Sequence, residues 1–581
     1  MSVSKSKTEK IIKILLIAAT VLAAIKMLFV DYSMDEEYQV VLAYRRLSGE
    51  YLFGSMWEPH QTSAFLCVGL MRIFLLLTGS YTGVLIYLRI CALLIQIGIC
   101  VWMYRVLSRF ITSEEAALVS LLYFNIVPKL IQIPEFGSQQ VWFWTGLILC
   151  FIEYDTNPKT AKNLIWIILG GICLSLEILS YPSSIVIAPI AVIFLALRAK
   201  KDSDNIFKAP VTLTITCAVC AAIWLASVLS HVSFDEFIRN IHYVVSFDLT
   251  HDLDVTAGGK LLNLFKGFCK ETVLALAAGV IAVGIYFLTV FISKKKTGTA
   301  KALAKGQKIT LISVLFILAS LMIQLHYWAV LRRGFEEPQL HLFALLIVPF
   351  ILWKYAGDEK RNLKFALITG IPTFLAVLYM SDLAFCFAIP HALPGCIFGM
   401  ILVVVAVRKQ FGSAGKNLIR LLLVISVLVC AFGKGFTLRS GRYTDITHVA
   451  GIMKHGPAVG VLADYMCAYI YNSNYEDFRN NLEEGDNVLI VTNMVFSPGT
   501  TPYMFEDYEV CHFSIVDPTS YDERLLTYWE LYPSKKPDVI VVDCWYGELK
   551  EDPDNWIMKY IENDFGYSEV IDGKYVRFYK K

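Results

Sequence analysis

The polar stretch from Asp31 to Ala64, DYSMDEEYQVVLAYRRLSGEYLFGSMWEPHQTSA, gathers the residues best suited to chemistry in a chain otherwise dominated by apolar runs. Asp35, Glu36 and Glu37 stand together near its start, and Glu58, His60 and Gln61 near its end. A carboxylate beside apolar and aromatic groups at a membrane surface is desolvated, which raises its basicity and fits it to take a proton from an attacking hydroxyl. The same spacing allows a plainer role, since acids in the first turn of a helix are stabilised by its dipole without catalysing anything.

Ser33 followed by Glu36 is a capping-box pattern. It predicts an interfacial helix over Met34 to Ser48, ended by Gly49, with Val40, Val41, Tyr44 and Leu47 on its apolar side. What surrounds this helix follows from composition. Of 581 residues, 56% are hydrophobic and 18% charged, and the mean hydropathy is +0.56, which excludes an ordinary soluble protein. The chain reads as an α-helical polytopic membrane protein. Its net charge of +2 argues against nucleic acid or another polyanion as partner. The cysteines fall mostly inside apolar runs, where they act as small hydrophobes, and form no disulfide framework and no metal motif of two paired Cys-x-x-Cys units.

Lys5, Lys7, Lys10 and Lys13 precede a first apolar run, Ile14 to Val30, long enough to cross a hydrocarbon core of ~30 Å at ~1.5 Å per residue. It exceeds a signal-peptide core and reads as an uncleaved anchor with a cytoplasmic N-terminus. Further runs are Gly83 to Tyr104, Ala116 to Ile133, Ser138 to Ile152, Leu164 to Ser180, Ile185 to Leu197 and Val211 to Ser230. After a longer polar gap come Thr272 to Ile292, Ile309 to Trp328, Leu340 to Trp353, Phe365 to Met380, Leu383 to Val407 and Leu418 to Phe436. Together they predict about 13 spans.

The basic loops, Arg105/Arg109, Lys159/Lys162, Arg198/Lys200/Lys201/Lys208, 294–308, Lys354 to Lys364 and Arg408/Lys409/Lys416, all face the cytoplasm under one condition. The apolar run Thr62 to Leu77, interrupted by Arg72, must not cross, and so belongs to the first external loop as an interfacial or re-entrant helix. External segments are then 31–82, the turn 134–137, the loop 231–271, the loop 329–339, the turn at Ser381/Asp382 and everything after Phe436. Trp57, Trp142, Trp144, Trp328 and Tyr327 lie near external ends, as in an interfacial aromatic belt.

The expected domains are a membrane part over 1–436 and a soluble extracytoplasmic α/β domain over 437–581. The latter is read from strand-like runs Asn487 to Thr492 and Asp538 to Asp543 and helical patterns Tyr521 to Leu531 and Trp556 to Asn563. Neither strand is followed by a glycine-rich nucleotide-binding motif.

An acidic pair just after the first span, an amphipathic helix ending in Tyr and Arg (DEEYQVVLAYRRLSGE), a Pro-containing stretch before a second loop helix, the span number and a soluble C-terminal domain together resemble the GT-C glycosyltransferases. The nearest branch is similar to the lipid A aminoarabinose transferases and protein O-mannosyltransferases. The resemblance implies sugar transfer from a polyprenyl-phosphate donor at the external face, with inversion and with Asp35 as general base. The acceptor would be a lipid, glycan or protein of the cell envelope, and the absence of an N-x-[ST] sequon is in keeping with a bacterial chain. A phosphate leaving group needs no protonation but does need positive charge or hydrogen bonds. Where the aminoarabinose branch carries a Lys before two prolines, this chain has Pro59 then His60, so that Lys is not carried over.

Candidates for substrate contact are therefore Glu36, Glu58, His60, Gln61, Arg332 and Arg333, the last two because a guanidinium fork suits phosphate. Glu135, in the second external turn, and Glu177, three residues before the external end of its span, join them as ionisable groups at membrane depth. Each has a structural alternative: a solvated turn for Glu135, pairing with Glu336 or Glu337 for the arginines. His231, Asp235, Glu236, His242, Asp248, His251, Asp252 and Asp254 offer ligands for a divalent metal, yet match no zinc signature, and a solvated loop closing over substrate is the simpler reading. No cofactor is assigned. Two other classes stay open. A transporter or flippase of lipid-linked glycans would place ionisable groups mid-membrane, and a surface receptor would bind ligand through its soluble domain.

Overall fold

The computed structural model describes residues 2–32, 34–58, 60–126, 133–156, 163–201, 205–247, 257–297, 303–333, 338–356, 361–380, 385–438, 444–483, 485–491, 509–510, 522–543 and 556–581. Helix α1 (Ser2–Phe29) is followed by α2 (Met34–Leu47) and α3 (Phe65–Thr78). Next come α4 (Val84–Leu107), α5 (Ser113–Asn125), α6 (Phe136–Thr156), α7 (Leu164–Ser180), α8 (Ile187–Lys201), α9 (Lys208–Leu229) and α10 (Phe234–Phe247). Beyond them lie α11 (Ala257–Thr297), α12 (Lys305–Ala329), α13 (Leu340–Ala356), α14 (Arg361–Met380), the single turn α15 (Phe385–Ala388), α16 (Leu393–Phe411) and α17 (Gly415–Phe436).

Among the described residues, eight segments are long and apolar enough to cross a membrane by length and composition, and three shorter apolar helices, Leu164–Ser180, Leu340–Ala356 and Leu363–Tyr379, accompany them. The chain is a helical polytopic membrane protein. Small residues bring its helices close: a Cβ on Gly395 of α16 would sit 3.2 Å from the Gly370 α-carbon of α14. The predicted belt tryptophans are instead interior. Trp57, Trp142, Trp144 and Trp328 are all buried, Trp142 donating its indole N–H to Gln96 Oε1 at 2.8 Å. Their rings fill space between helices; Trp328 occupies the place a side chain on Gly433 would need.

Basic and acidic side chains gather at one end of the bundle. Arg109 pairs with Glu153 at 2.7 Å and Arg420 with Glu9 and Glu114 at 3.0 and 3.1 Å, while Arg198 meets Asp155 and Arg408 meets Glu115. The C-terminal residues lie at the other end. Asp31 N–H, just past α1, donates to the Leu462 carbonyl at 2.8 Å, and Gly83 N–H, at the start of α4, to that of Gly456 at 3.1 Å. Segment 61–78 is long and apolar enough to cross. Both its flanks nonetheless meet the C-terminal region, through the Ser55 carbonyl taking the Tyr528 hydroxyl at one end and through Gly83 at the other.

The region 231–271 differs from the predicted open loop. It holds α10 and the first turns of the 41-residue α11, whose apolar residues extend the helix well before Thr272. His231 stacks on Tyr51 with centroids 4.3 Å apart. Asp248, His251, Asp252 and Asp254 lie outside the described residues, as do Ser33, Glu336 and Glu337.

After α17 the chain forms β1 (Val449–Ile452), β2 (Leu462–Asp464), α18 (Tyr465–Asn481), β3 (Asn487–Val491), β4 (Glu509–Val510), α19 (Asp522–Leu531), β5 (Val539–Asp543), α20 (Trp556–Tyr560), β6 (Glu569–Asp572) and β7 (Val576–Lys580). β1 and β2 pair antiparallel. The main sheet runs β4-β3-β5-β7-β6, with β3 parallel to both β4 and β5, and β7 antiparallel to β5 and β6. β3 and β5 read as unbroken apolar runs because both sheet faces are covered. Val488, Ile490, Val539 and Val541 face a core that also holds Val40, Val41 and Tyr44 of α2, Tyr471 of α18 and Leu88 of α4. Leu489, Val491, Ile540 and Val542 face a second core built by Leu525, Tyr528, Ile557 and Trp57. The first loop is thus part of the hydrophobic core of the C-terminal region, joined covalently only through the whole bundle.

Candidate functional site

Helix α2 places three acids in its first turn, and they part company. Glu36 is fully buried and takes a two-point ion pair from Arg89 of α4, Nε to Oε1 at 3.1 Å and Nη2 to Oε2 at 2.6 Å. Arg89 Nη2 also donates to the Asp31 carbonyl at 2.7 Å, so the pair ties α2 and the end of α1 to α4. Glu37 is buried as well. It faces Cys467 of α18, whose thiol is pushed well above the ordinary range by burial and by the nearby charges of Asp464, Asp31 and Glu37. Asp35 alone of the three keeps partial exposure. One turn on, Gln39 receives the Ser63 hydroxyl at 3.0 Å, so the face carrying Asp35 turns toward the segment 60–64.

The far end of the loop is locked by its own polar groups. Arg45 is buried among Glu50, Glu58 and the Ser55 carbonyl, the last at 3.0 Å, and Lys535 from the C-terminal region approaches Glu50 at 3.7 Å. Gln61 accepts the Phe53 N–H at 2.9 Å and donates to the Glu58 carbonyl at 3.1 Å. Glu58 and Gln61 therefore hold the loop's shape. The turn leaves His60 in the left-handed region, φ 57°. Its ring lies flat on Phe136, with centroids 4.3 Å apart and planes at 8°, and tilts against Tyr181 at 4.9 Å.

Phe136 opens α6, and the preceding Glu135 caps that helix: its carboxylate accepts Gly137 N–H at 2.6 Å and Ser138 N–H. Glu135 is buried, not a solvated turn residue. Tyr181, just past α7, also touches His391, with centroids 4.6 Å apart. His391 sits in the 3-10 turn Ile389–Ala392 that interrupts the apolar run between α15 and α16. Its Nδ1 bonds Gln140 Oε1, and Gln140 Nε2 bonds the Ser184 hydroxyl at 2.8 Å. His60, Phe136, Tyr181 and His391 thus form an aromatic box where the first loop, the start of α6, the end of α7 and the break before α16 converge. Phe136, Tyr181 and His391 escaped the sequence reading. The signal for His391 was present in AIPHALPG, a polar ring between two prolines in an otherwise apolar run.

Below the box lies a cavity of about 740 Å³. Its wall is apolar, built by Leu174 and Ile178 of α7, Ala188 of α8, Ala221 and Trp224 of α9 and Ile241 of α10, while His60, Gln61 and Thr62 close its loop end. Glu177 flanks it, fully buried; among the described residues neither carboxyl oxygen accepts a hydrogen bond of good geometry, though the Ser184 hydroxyl faces it.

The arginines stand elsewhere. Arg332, with φ 48°, pairs with Asp445 at 3.4 Å and Thr447 at 3.3 Å, anchoring the 329–333 segment to the C-terminal region. Burial opposes ionisation of Asp445, but the Thr447 hydroxyl and amide, then Arg332 and His448, together hold its carboxyl below the usual range. Arg333 is exposed beside it, its N–H on the Tyr327 carbonyl at 3.1 Å. Among the described residues no three His, Cys, Asp or Glu side chains come together as a metal shell.

No family model matches this chain, and no curated protein matches it. Solved structures do. The oligosaccharyltransferase of Archaeoglobus fulgidus in complex with Zn and sulfate shares 12% identity at a TM-score of 0.44, over 94% of this chain and 70% of that one. ArnT from Cupriavidus metallidurans in the apo state shares 11% at 0.42, over 99% and 98%, and its complex with undecaprenyl phosphate 12% at 0.39, over 97% of each.

Proposed function

We propose that this chain transfers a sugar from a polyprenyl-phosphate-linked donor to a cell-envelope acceptor, lipid, glycan or protein, with inversion and with Asp35 as general base. The observation that carries the proposal is the cavity: a space of ligand size, about 740 Å³, with an apolar body among the spans and a polar loop end at His60, Gln61 and Thr62. This is the shape an amphiphile with an isoprenoid tail and a polar head would fill. A soluble substrate would need no such wall.

In the step itself the acceptor hydroxyl attacks the anomeric carbon while Asp35 takes its proton. The anomeric C–O bond to phosphate breaks on the opposite face, and the lipid phosphate departs with the bonding pair. Asp35 suits this role because, of the three acids of its turn, it alone remains partly exposed, whereas Glu36 is committed to Arg89. His60, at the head of the cavity, is placed to donate a hydrogen bond to the donor's polar head. The end of the bundle bearing the basic loops faces the cytoplasm in this account, and the box, α3 and the C-terminal region face outward at the plasma membrane.

Mass analysis of envelope glycans and glycolipids tests the reading in a strain lacking the gene and in strains complemented with wild type or with Ala221→Trp, which fills the cavity. A sugar modification should vanish on deletion, return with wild type and stay absent with a membrane-inserted Ala221→Trp protein. An unchanged glycan and glycolipid profile on deletion would defeat the proposal.

A further inference from the structure

Helix α3 leaves one face exposed. Gly69, Arg72, Ile73 and Leu76, spaced i, i+3, i+4 and i+7, run along it, with Leu77 beside them; Leu76 is 81% and Leu77 76% exposed. The opposite side is packed, Cys67 and Met71 being buried in the core shared with Val40, Val41 and Tyr44 of α2. A Cβ on Gly69 would meet nothing within 4 Å, so the stripe has an open notch one turn before Arg72. An exposed apolar stripe marks a contact with lipid or protein, and the guanidinium within it narrows the choice.

Arg46, in the last turn of α2, supplies a second cation. Its guanidinium donates to the Glu50 carbonyl and stands over the Tyr51 ring, 5.7 Å from the centroid, and that ring stacks on His231. Backbone and ring, rather than a carboxylate, therefore set its position. Burial foremost, and the neighbouring charge of Arg72 as well, pull the Arg46 guanidinium below its usual range, against Tyr51 and Glu50. The Glu50 carboxylate itself is bonded to Arg45 and approached by Lys535 at 3.7 Å. Among the described residues neither Arg46 nor Arg72 pairs with a carboxylate, unlike Arg45, Arg89 and Arg332. Two neighbouring guanidiniums without an acid call for an anion, and a phosphodiester offers an oxygen to the fork of each.

Resting on the outward placement of α3 proposed above, we infer that Arg46 and Arg72 hold the phosphate of an anionic phospholipid of the outer leaflet, its acyl chains lying along Ile73, Leu76 and Leu77. An interfacial helix binds through its buried apolar area together with attraction to anionic headgroups, and α3 with Arg46 presents both. A soluble anion would use the two guanidiniums and leave the leucines in water. In a zwitterionic lipid the choline cation already answers the phosphate.

The test measures phosphatidylglycerol and phosphatidylcholine binding to the purified protein in detergent by native mass spectrometry. Wild type is expected to bind phosphatidylglycerol at least about tenfold more tightly. The double variant Arg46→Gln with Arg72→Gln should bind the two lipids alike, and Leu76→Ser with Leu77→Ser should weaken both. Glycerol phosphate, which has the charge without the chains, should not displace phosphatidylglycerol at equal concentration. A folded double-arginine variant that keeps the preference, a wild type that has none, or displacement by glycerol phosphate overturns the inference. Arg72→Cys, treated with a membrane-impermeant maleimide on spheroplasts, tests the placement separately. Labelling above the wild-type background on intact spheroplasts upholds the outward placement, so that a missing lipid preference then defeats this inference alone. Labelling only after lysis, or none, defeats the placement and the inference together.

Discussion

Trp57 lies flat against Tyr243, ring centroids 4.4 Å apart and planes within 2°, although one belongs to the first loop and the other to α10. Tyr528 and Tyr532 of the C-terminal region meet the same indole edge-on at 5.2 and 6.2 Å. Asn240, one turn before Tyr243, donates to the Phe53 carbonyl at 2.6 Å and meets the Tyr532 hydroxyl at 3.0 Å. Three segments remote in sequence are thereby fastened at one point, directly over the cavity.

Removing the indole should loosen all three together. Trp57→Ala is expected to cost about 3–5 kcal/mol, the usual range for truncating a buried Trp, and Trp57→Phe much less. Thermal unfolding in detergent, with proteolysis of the 50–61 segment as a local readout, measures both. A Trp57→Ala protein as stable and as protease-resistant as wild type would show that the fastening is incidental.

Glu36 and Arg89 give a sharper choice between structure and substrate. A buried pair deprived of one partner leaves an uncompensated charge and costs about 3–5 kcal/mol, so Arg89→Ala and Glu36→Ala should both give poorly folded protein. Glu36→Gln, which keeps the shape and one acceptor for Arg89 but not the neutralising charge, should recover only part of the fold. Were Glu36 instead a substrate contact, its variants would fold normally and raise the donor KM.

Arg332 should matter little. Its side chain is half-exposed, and exposed ion pairs contribute about 0–1 kcal/mol. Arg332→Ala is expected to transfer sugar at close to the wild-type rate at neutral pH. Because the Asp445 carboxyl is held below its ordinary 3.8, its charged contacts contribute fully above that pH and are lost only as the pH falls through the lowered value. A large rise in donor KM for Arg332→Ala would return this residue to the phosphate.

The layout of the chain was legible because lipid imposes strong rules. The apolar helices came from hydropathy, and both flanks of the helix at 62–77 meet the C-terminal region; the side assigned from Lys and Arg belongs to the proposal. β3 and β5 were visible as apolar runs bounded by polar turns. α18 was not, since YMCAYIYNSNYEDFRNN mixes aromatic and polar residues and owes its helix to the Asp464 cap, which accepts from Met466 and Cys467 N–H at 3.1 Å each, and to burial of Tyr471 and Phe478. Nor could sequence alone show that Val40 and Val41 pack in one core with Val488 and Val541, a contact between parts of the chain separated by the entire bundle. Of the candidate site, the first-loop residues could be picked out by type and spacing, and the other walls could not. Glu135 looked solvated because its turn is short, yet Gly137 and Ser138 bind it as a cap; Tyr181 and His391 each stand alone in sequence and acquire meaning only when the helix ends converge.

The central claim is that Asp35 takes the acceptor's proton, and Asp35→Asn tests it most directly. The variant keeps the size of the side chain and removes the base. Single-turnover transfer from a polyprenyl-phosphate sugar, measured on wild type and variant that bind undecaprenyl phosphate equally, should fall by about 10²–10⁴-fold. Transfer at the wild-type rate by the folded Asp35→Asn protein would contradict the account.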